Sequence, residues 1–215
     1  MFSVIFDMDG TLLDTQRICI PAWEYAGRQQ GVTGMGDDIS FVCGMNEIGW
    51  TKFITDKYPT IDIDLFKKEM RDYIIENLVV KFKKGGREIL EFLKQNNVKI
   101  AVASGSSRGS VEHHFNEVGA MHFFDALVCG KEVKNGKPAP DIFLKAAELL
   151  GENPENCFVF EDSENGIKAG VSAGMKCIGI PDVAEFSQEV KDMMFACLDD
   201  FLQAIPILER ELLNG

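Results

Sequence analysis

The stretch SVIFDMDGTLLDT, residues 3–15, decides the fold class of this chain. Its first four residues form a short apolar run of the kind found in buried strands. Gly10 and Thr11 then indicate that the chain leaves the sheet, since glycine marks turns. Asp7 and Asp9 would point to opposite faces if the strand continued, but the turn lets both project around one pocket. The stretch therefore predicts a strand that ends in two neighbouring carboxylates.

Beyond residue 80, short β-branched runs alternate with longer amphipathic stretches, which is typical of a parallel sheet covered by helices. The predicted strands cover residues 3–6, 98–103, 126–128, 157–160 and 176–180. The predicted helices cover residues 85–96, 107–119, 140–150 and 163–173. We expect an α/β fold with a Rossmann-like parallel sheet, in which ligands bind beyond the carboxyl ends of the strands.

The alternation of predicted strands and helices is absent between residues 15 and 80, where helical stretches occur without a convincing strand. Helices are predicted at residues 15–30, 46–57 and 62–80. This pattern predicts an α-helical cap over residues 16–80, inserted into a catalytic core formed by residues 1–15 and 81–215. Two short linkers would join the cap to the core, and this arrangement suits a lid over the site.

The charge balance limits the partners of the chain. Its 215 residues contain 22 Lys and Arg against 34 Asp and Glu, for a formal net charge of -12. Such a surface repels nucleic acid phosphates and anionic lipids, so we expect neither a nucleic acid nor a membrane partner. A phosphate site is still compatible with this charge, because a bound divalent cation and a few basic groups can dominate the local field.

The six cysteines follow no disulfide or C-x-x-C spacing, which favours reduced thiols. No apolar run approaches the roughly 20 residues needed to cross a bilayer, and the first residues lack a signal-peptide pattern. We therefore expect a cytoplasmic protein. We expect it to be a monomer, with a dimer as the alternative.

The paired aspartates suit phosphoryl transfer, because a carboxylate can attack phosphorus and form an acyl phosphate. Asp7 is the predicted nucleophile, and Asp9 is placed to act as general acid and base. Two carboxylates near a phosphate require a cation. Glu161 and Asp162, in FVFEDSENG, follow another predicted strand, and such hard oxygen ligands suit Mg²⁺.

Two further segments offer phosphate ligands. Lys137, in NGKPAPD, can reach a phosphate from its loop and neutralise the nucleophile. Ser104 and Gly105, after VKIAVA, offer a hydroxyl and backbone amides to phosphoryl oxygens. Each signal taken alone also fits a structural role: the acidic pairs and Ser104 could cap helices, and Lys137 could be a solvated loop residue.

These four segments, in this order, resemble the haloacid dehalogenase superfamily, and the similarity covers nearly the whole chain. The family pattern runs from D-x-D-G-T through a Ser or Thr and a Lys to an acidic pair. The resemblance implies a catalytic set of Asp7, Asp9, Ser104 and Lys137. It implies a magnesium site formed by Asp7, the Asp9 carbonyl, Glu161 as ligand or supporting group, and Asp162. It implies phosphate binding by Gly10, Thr11, Ser104, Gly105 and Lys137.

The helical insertion resembles the small cap of the subgroup that contains β-phosphoglucomutase, phosphoglycolate phosphatase and sugar-phosphate phosphatases. The runs KPAPDIF and EDSENGIKA are very similar to that subgroup. An aspartate at position 9 points to phosphoester chemistry rather than carbon–halogen cleavage. We therefore expect a Mg²⁺-dependent phosphatase that acts on a small phosphorylated metabolite, such as a sugar or polyol phosphate, through an aspartyl-phosphate intermediate.

The cap loop bears on whether the enzyme hydrolyses or transfers phosphate. β-Phosphoglucomutases hold a second phosphate with basic cap residues, and Cys43 and Glu47 stand at those positions here. A glutamate would repel a second phosphate, which favours hydrolysis. Arg17 and Lys52 are candidates to offset that repulsion, so a sugar phosphomutase is the alternative, and a non-catalytic phosphometabolite sensor is a remoter one. We expect the leaving group to be selected by Cys43, Gly44, Met45, Asn46 and Glu47.

Overall fold

The computed structural model describes residues 2–42 and 47–214. It divides into two compact units, one formed by Met1–Asp14 with Val80–Gly215 and the other by Thr15–Val79. Cys43, Gly44, Met45 and Asn46, predicted to select the leaving group, lie outside the described residues, and so does the side chain of Glu47.

The unit of residues 15–79 is helical. Its helices are α1 (Cys19–Gln29), α2 (Ile39–Val42), α3 (Glu47–Lys57) and α4 (Ile63–Asn77). Trp23 of α1 lies edge-on against Phe66 of α4, with ring centroids 5.5 Å apart. The Asp62 side chain accepts hydrogen bonds from the first backbone amides of α4, as an N-cap residue does. Helix α1 begins four residues later than the predicted start at residue 15.

The other unit contains a six-stranded parallel sheet of order β3-β2-β1-β4-β5-β6. The strands are β1 (Ser3–Phe6), β2 (Ile100–Ser104), β3 (Ala126–Cys129), β4 (Cys157–Glu161), β5 (Lys176–Gly179) and β6 (Ala196–Cys197). Phe6 at the end of β1 is paired with Val102 on β2 and with Phe160 on β4. The carboxyl ends of these three strands therefore meet at one edge.

Helices cover both faces of the sheet. They are α5 (Gly86–Gln95), α6 (Arg108–Glu117), α7 (Asp141–Leu150), α8 (Glu164–Ser172), α9 (Gln188–Lys191) and α10 (Phe201–Asn214). On one face, Ile5 and Val159 are buried in a cluster with Phe143 of α7. On the other, Phe6 stacks on Phe160 at 5.0 Å and contacts Phe201 of α10. Residues of β1 are buried on both faces, as expected for a central parallel strand.

The two linkers that join the units lie side by side within the sheet unit. The Asp14 N–H donates to the Lys81 carbonyl at 2.9 Å, and the Lys83 N–H donates to the Leu12 carbonyl at 3.0 Å. The side chains of Asp14 and Lys81 form an ion pair at 3.1 Å. None of the helices in the described ranges has both the length and the apolar character needed to span a membrane.

Candidate active site

The turn after β1 places the first two carboxylates. The Asp7 N–H donates to the Phe160 carbonyl at 3.0 Å, so Asp7 still follows the pairing of β1 with β4. The chain then turns back on itself, and the Gly10 N–H donates to the Leu13 carbonyl at 2.9 Å. Gly10 has a φ of 79°, which favours glycine because a side chain is strained there. This local geometry allows Asp7 and Asp9 to serve one site.

Lys137 joins two of the acidic residues. Its Nζ lies 2.6 Å from Oδ1 of Asp7 and 2.6 Å from Oε1 of Glu161, and it also donates to the Ala103 carbonyl at 3.1 Å. Burial raises the pKa of Asp7 from 3.8 to about 7; Lys137 opposes that rise, and the Glu161 and Asp9 charges add to it. Burial lowers the pKa of Lys137, but the charges of Asp7 and Glu161 outweigh it and hold the pKa above its usual value.

Glu161 is held from several sides and is 1 % exposed. Its Oε2 accepts hydrogen bonds of 3.0 Å from the Asp162 N–H, the Ser163 N–H and the Ser163 hydroxyl. A Cβ added at Gly166 would lie 1.9 Å from the Glu161 carboxylate. Since Oε1 contacts Lys137 and Oε2 contacts the start of α8, the carboxylate anchors Lys137 to that helix.

Asp162 receives a hydrogen bond of 2.8 Å from the Thr11 hydroxyl. Burial raises the pKa of Asp162, and the charges of Glu161 and Asp7 raise it further, while the Thr11 hydrogen bond lowers it. Burial is thus the main cause of the raised pKa at both Asp7 and Asp162, and the neighbouring carboxylates add to it.

Carboxylate oxygens of Asp7, Glu161 and Asp162 all lie within 4.8 Å of one another. Three converging carboxylates fit a divalent cation, because hard oxygen donors are the ligands that Mg²⁺ and Ca²⁺ prefer. The structure thus brings together, in one buried group, three of the four residues predicted to bind metal. The Asp9 side chain makes a different contact.

Asp9 is hydrogen bonded to Ser106, which no sequence motif indicated. The Ser106 hydroxyl donates to Oδ2 of Asp9 at 2.6 Å. The Ser106 N–H in turn donates to the hydroxyl of Ser104 at 3.0 Å, and Ser104 is 1 % exposed. The signal in the sequence was the SGSS run after β2, which contains more than one hydroxyl.

The remaining predicted phosphate ligands, Gly10, Thr11 and Gly105, lie in the turns after β1 and β2. Gly10 and Thr11 follow β1, and the Thr11 hydroxyl faces Asp162. Gly105 follows β2 and packs against the backbone of the loop after β3, where a Cβ added at Gly130 would lie 2.4 Å from the Gly105 carbonyl oxygen. The turns after β1, β2 and β4 and the loop before α7 therefore supply the residues of the candidate site.

Residues 4–180 match the family model described as haloacid dehalogenase-like hydrolase. The chain belongs to the haloacid dehalogenase-like hydrolases. This match spans most of the chain and confirms the family expected from the sequence.

Two relatives of this hydrolase have names that refer to sugar phosphates. It is 33% identical to a phosphorylated carbohydrates phosphatase of Thermotoga maritima, over 83% of this chain and 84% of that protein. It is 34% identical to β-phosphoglucomutase of Bacillus subtilis, over 84% of this chain and 83% of that protein.

A solved structure gives the same fold. The crystal structure of a proposed β-phosphoglucomutase from Thermotoga maritima matches the hydrolase with a TM-score of 0.81 and 28% identity, over 98% of this chain and 99% of that one. The predicted α/β fold with a parallel sheet is confirmed.

Proposed function

We propose that this hydrolase is a Mg²⁺-dependent phosphatase of small phosphorylated metabolites that forms a phosphoaspartate at Asp7. The observation that carries the proposal is the position of Lys137, 2.6 Å from both Asp7 and Glu161 at the carboxyl end of a parallel sheet. A lysine in this place lowers the pKa of a buried carboxylate and so favours its anionic form, which is the form that attacks phosphorus.

The acidic cluster is the proposed metal site. Asp7 and Asp162 would supply carboxylate ligands, and the family resemblance adds the Asp9 carbonyl. Glu161 supports the site indirectly, because its two oxygens are occupied by Lys137 and by the start of α8. When bound, Mg²⁺ would offset the charge of the phosphoryl group and of the carboxylates around it.

The side chains account for both halves of the reaction. An oxygen of Asp7 attacks phosphorus, the bond between phosphorus and the ester oxygen breaks, and Asp9 gives its proton to the leaving oxygen. A water molecule then attacks the phosphoaspartate, Asp9 takes its proton, and phosphate leaves with Asp7 restored. Lys137 offsets the charge of Asp7, and the hydroxyl of Ser104 is the proposed donor to a phosphoryl oxygen.

The substrate is proposed to be a sugar or polyol phosphate. Two observations support this class: the Thermotoga maritima relative is named a phosphatase of phosphorylated carbohydrates, and the Bacillus subtilis relative is named a mutase of a glucose phosphate. Because one relative is named a mutase, the second candidate function is transfer of a phosphoryl group between two positions of one sugar. Glu47, in place of a basic cap residue, favours hydrolysis.

The test is phosphate release from hexose, pentose and polyol phosphates, with MgCl₂ and with EDTA. We expect magnesium-dependent release from some of these substrates, and Asp7→Asn should lower kcat on the order of 10³-fold or more. Asp192→Asn, at an exposed aspartate of the sheet unit, is the matched control and should keep parental kcat. The proposal fails if no substrate is turned over, or if Asp7→Asn retains the parental rate.

The second candidate is tested by supplying a hexose 1-phosphate with a hexose bisphosphate. A phosphatase releases phosphate and free hexose, whereas a mutase converts the 1-phosphate to the 6-phosphate. Accumulation of hexose 6-phosphate faster than free phosphate would replace the hydrolase assignment with the mutase.

A further inference from the structure

We propose that Ser106 is a positioning residue for Asp9, whose hydroxyl fixes the carboxyl group so that one defined oxygen transfers the proton. This inference rests on the proposed function, in which Asp9 is the general acid and base. The observation that carries it is the 2.6 Å hydrogen bond from the Ser106 hydroxyl to Oδ2 of Asp9, which links turns 97 residues apart in the sequence.

The Ser106 backbone is fixed on both sides. Its N–H donates to the Ser104 hydroxyl at 3.0 Å, and its carbonyl accepts from the Gly130 N–H at 3.3 Å. Gly130 also packs so closely on Gly105 that an added Cβ would lie 2.4 Å from the Gly105 carbonyl oxygen. The turn between β2 and α6 is therefore held in place, and the Ser106 hydroxyl meets Asp9 from a preorganised backbone.

The neighbouring serine has a separate role. The Ser107 side chain accepts from the Ser110 N–H at 3.3 Å and is the N-cap of α6. The two adjacent hydroxyls thus differ in what they bind: Ser107 stabilises the helix start, whereas Ser106 reaches across to the turn after β1. This difference provides a matched control within one loop.

The hydrogen bond has a chemical consequence. Because the Ser106 hydroxyl donates to Oδ2, that oxygen is an acceptor, and in the acid form of Asp9 the proton resides on Oδ1. During phosphorylation of Asp7, the bond from Oδ1 to hydrogen breaks as the leaving oxygen gains the proton and loses its bond to phosphorus. Loss of the Ser106 hydroxyl removes one of the bonds that orient this carboxyl group, so the acid is in the productive orientation for a smaller fraction of encounters.

The test compares two leaving groups. An alkoxide leaving group needs a proton from Asp9, whereas p-nitrophenolate departs readily without one. For Ser106→Ala we expect kcat/KM to fall about tenfold or more with the hexose or polyol phosphate turned over best by the parent enzyme, since a positioned general acid contributes about 10²- to 10⁴-fold. With p-nitrophenyl phosphate we expect the fall to stay below about twofold.

Companion variants separate positioning from general damage. Ser106→Thr keeps the hydroxyl and should restore the ratio of the two kcat/KM values. Ser106→Cys keeps the size but has a weak donor, and it should show the same selective loss. Ser107→Ala should lower Tm without changing the ratio, because it removes only the cap of α6.

The inference is overturned if Ser106→Ala and Ser106→Cys both leave the ratio within about twofold of the parent, or if both lower the two kcat/KM values equally. Its failure is distinct from failure of the proposed function. If only the role of Ser106 is wrong, the parent enzyme is an active phosphatase and the selective loss is missing. If the proposed function is wrong, the parent enzyme turns over no phosphoester.

Discussion

The Thr11 hydroxyl donates a 2.8 Å hydrogen bond to Oδ1 of Asp162, and so joins two turns that are 151 residues apart in the sequence. Thr11 is completely buried, so water cannot replace this hydroxyl easily. The bond lowers the pKa of Asp162, in opposition to burial and to the neighbouring carboxylates. Thr11 therefore favours the charged form of Asp162, which is the form that would serve in the proposed metal site.

Thr11→Val should weaken magnesium binding by about tenfold or more, because a buried partner that orients a metal ligand typically contributes 10- to 100-fold in affinity. Titration of the activity with MgCl₂ measures the change. Thr11→Ser keeps a hydroxyl and should bind magnesium within about threefold of the parent. Equal magnesium affinity in the valine and serine variants would contradict this role.

Lys137→Met should abolish most activity and destabilise the metal-free protein. The substitution leaves the buried carboxylates of Asp7 and Glu161 without their shared cation, and breaking a buried ion pair costs about 3 to 5 kcal/mol. Urea unfolding and phosphate release measure the two effects. Lys134→Met removes an exposed lysine of the same loop and should change neither quantity; a stable, active Lys137→Met protein would disprove the expectation.

Metal-free protein should lose stability as the pH rises from 5 to 8. The folded pKa of Asp7 is raised from 3.8 to about 7, so its contribution is fully present below pH 3.8 and is lost as the pH rises through 7. Asp162 is shifted in the same direction. Lys137 contributes equally throughout this range, since its pKa is raised from an ordinary value of 10.5.

Magnesium should reverse this trend, because a cation displaces protons from the carboxylates that bind it. The increase in Tm on adding MgCl₂ is therefore expected to be larger at pH 8 than at pH 5, and thermal unfolding at both pH values measures it. Asp7→Asn should flatten the pH dependence, whereas Asp192→Asn should preserve it. A metal-free Tm that rises between pH 5 and 8 would argue against these shifts.

Gly166→Ala should disrupt the site through Glu161. The added Cβ would lie 1.9 Å from the Glu161 carboxylate, so the carboxylate must move and release its contacts with Lys137 and Ser163. We expect a loss of stability of about 2 kcal/mol or more, as for other buried clashes, together with a large loss of kcat. Circular dichroism melts and phosphate release test both.

Gly109→Ala is the control for the effect of alanine in a helix. Nothing lies within 4 Å of a Cβ at this position of α6, and alanine favours the helix by up to about 1 kcal/mol. Parental activity in both alanine variants would show that the Glu161 carboxylate can move without consequence.

The sequence indicated the candidate site residues that follow strands, but it did not indicate Ser106, which lies within a turn. Asp7 and Asp162 directly follow β1 and β4, and neighbouring parallel strands bring such positions to one edge. Ser106 lies within a turn, where no periodicity indicates the direction of a hydroxyl. The contact of Ser106 with Asp9 depends on the backbone hydrogen bonds of Ser106 to Ser104 and Gly130, which join segments that are distant in the sequence or lie within a turn.

The observed bounds of two elements also differ from those predicted from the sequence. Helix α1 begins at Cys19 instead of near residue 15, and the preceding linker is hydrogen bonded to the second linker at Asp14. Strand β6, with only Ala196 and Cys197, was not predicted, because two residues carry no alternation that distinguishes a strand.

The hydrogen bonds between the linkers have an evolutionary consequence. Because the Asp14 N–H donates to the Lys81 carbonyl, the chain leaves the sheet unit and returns to it at neighbouring positions. The inserted module can then be lengthened, shortened or exchanged without altering the register of β1 against its neighbours. In the proposed phosphatase, the substrate preference would change when this unit is replaced, while the candidate active site in the sheet unit stays the same.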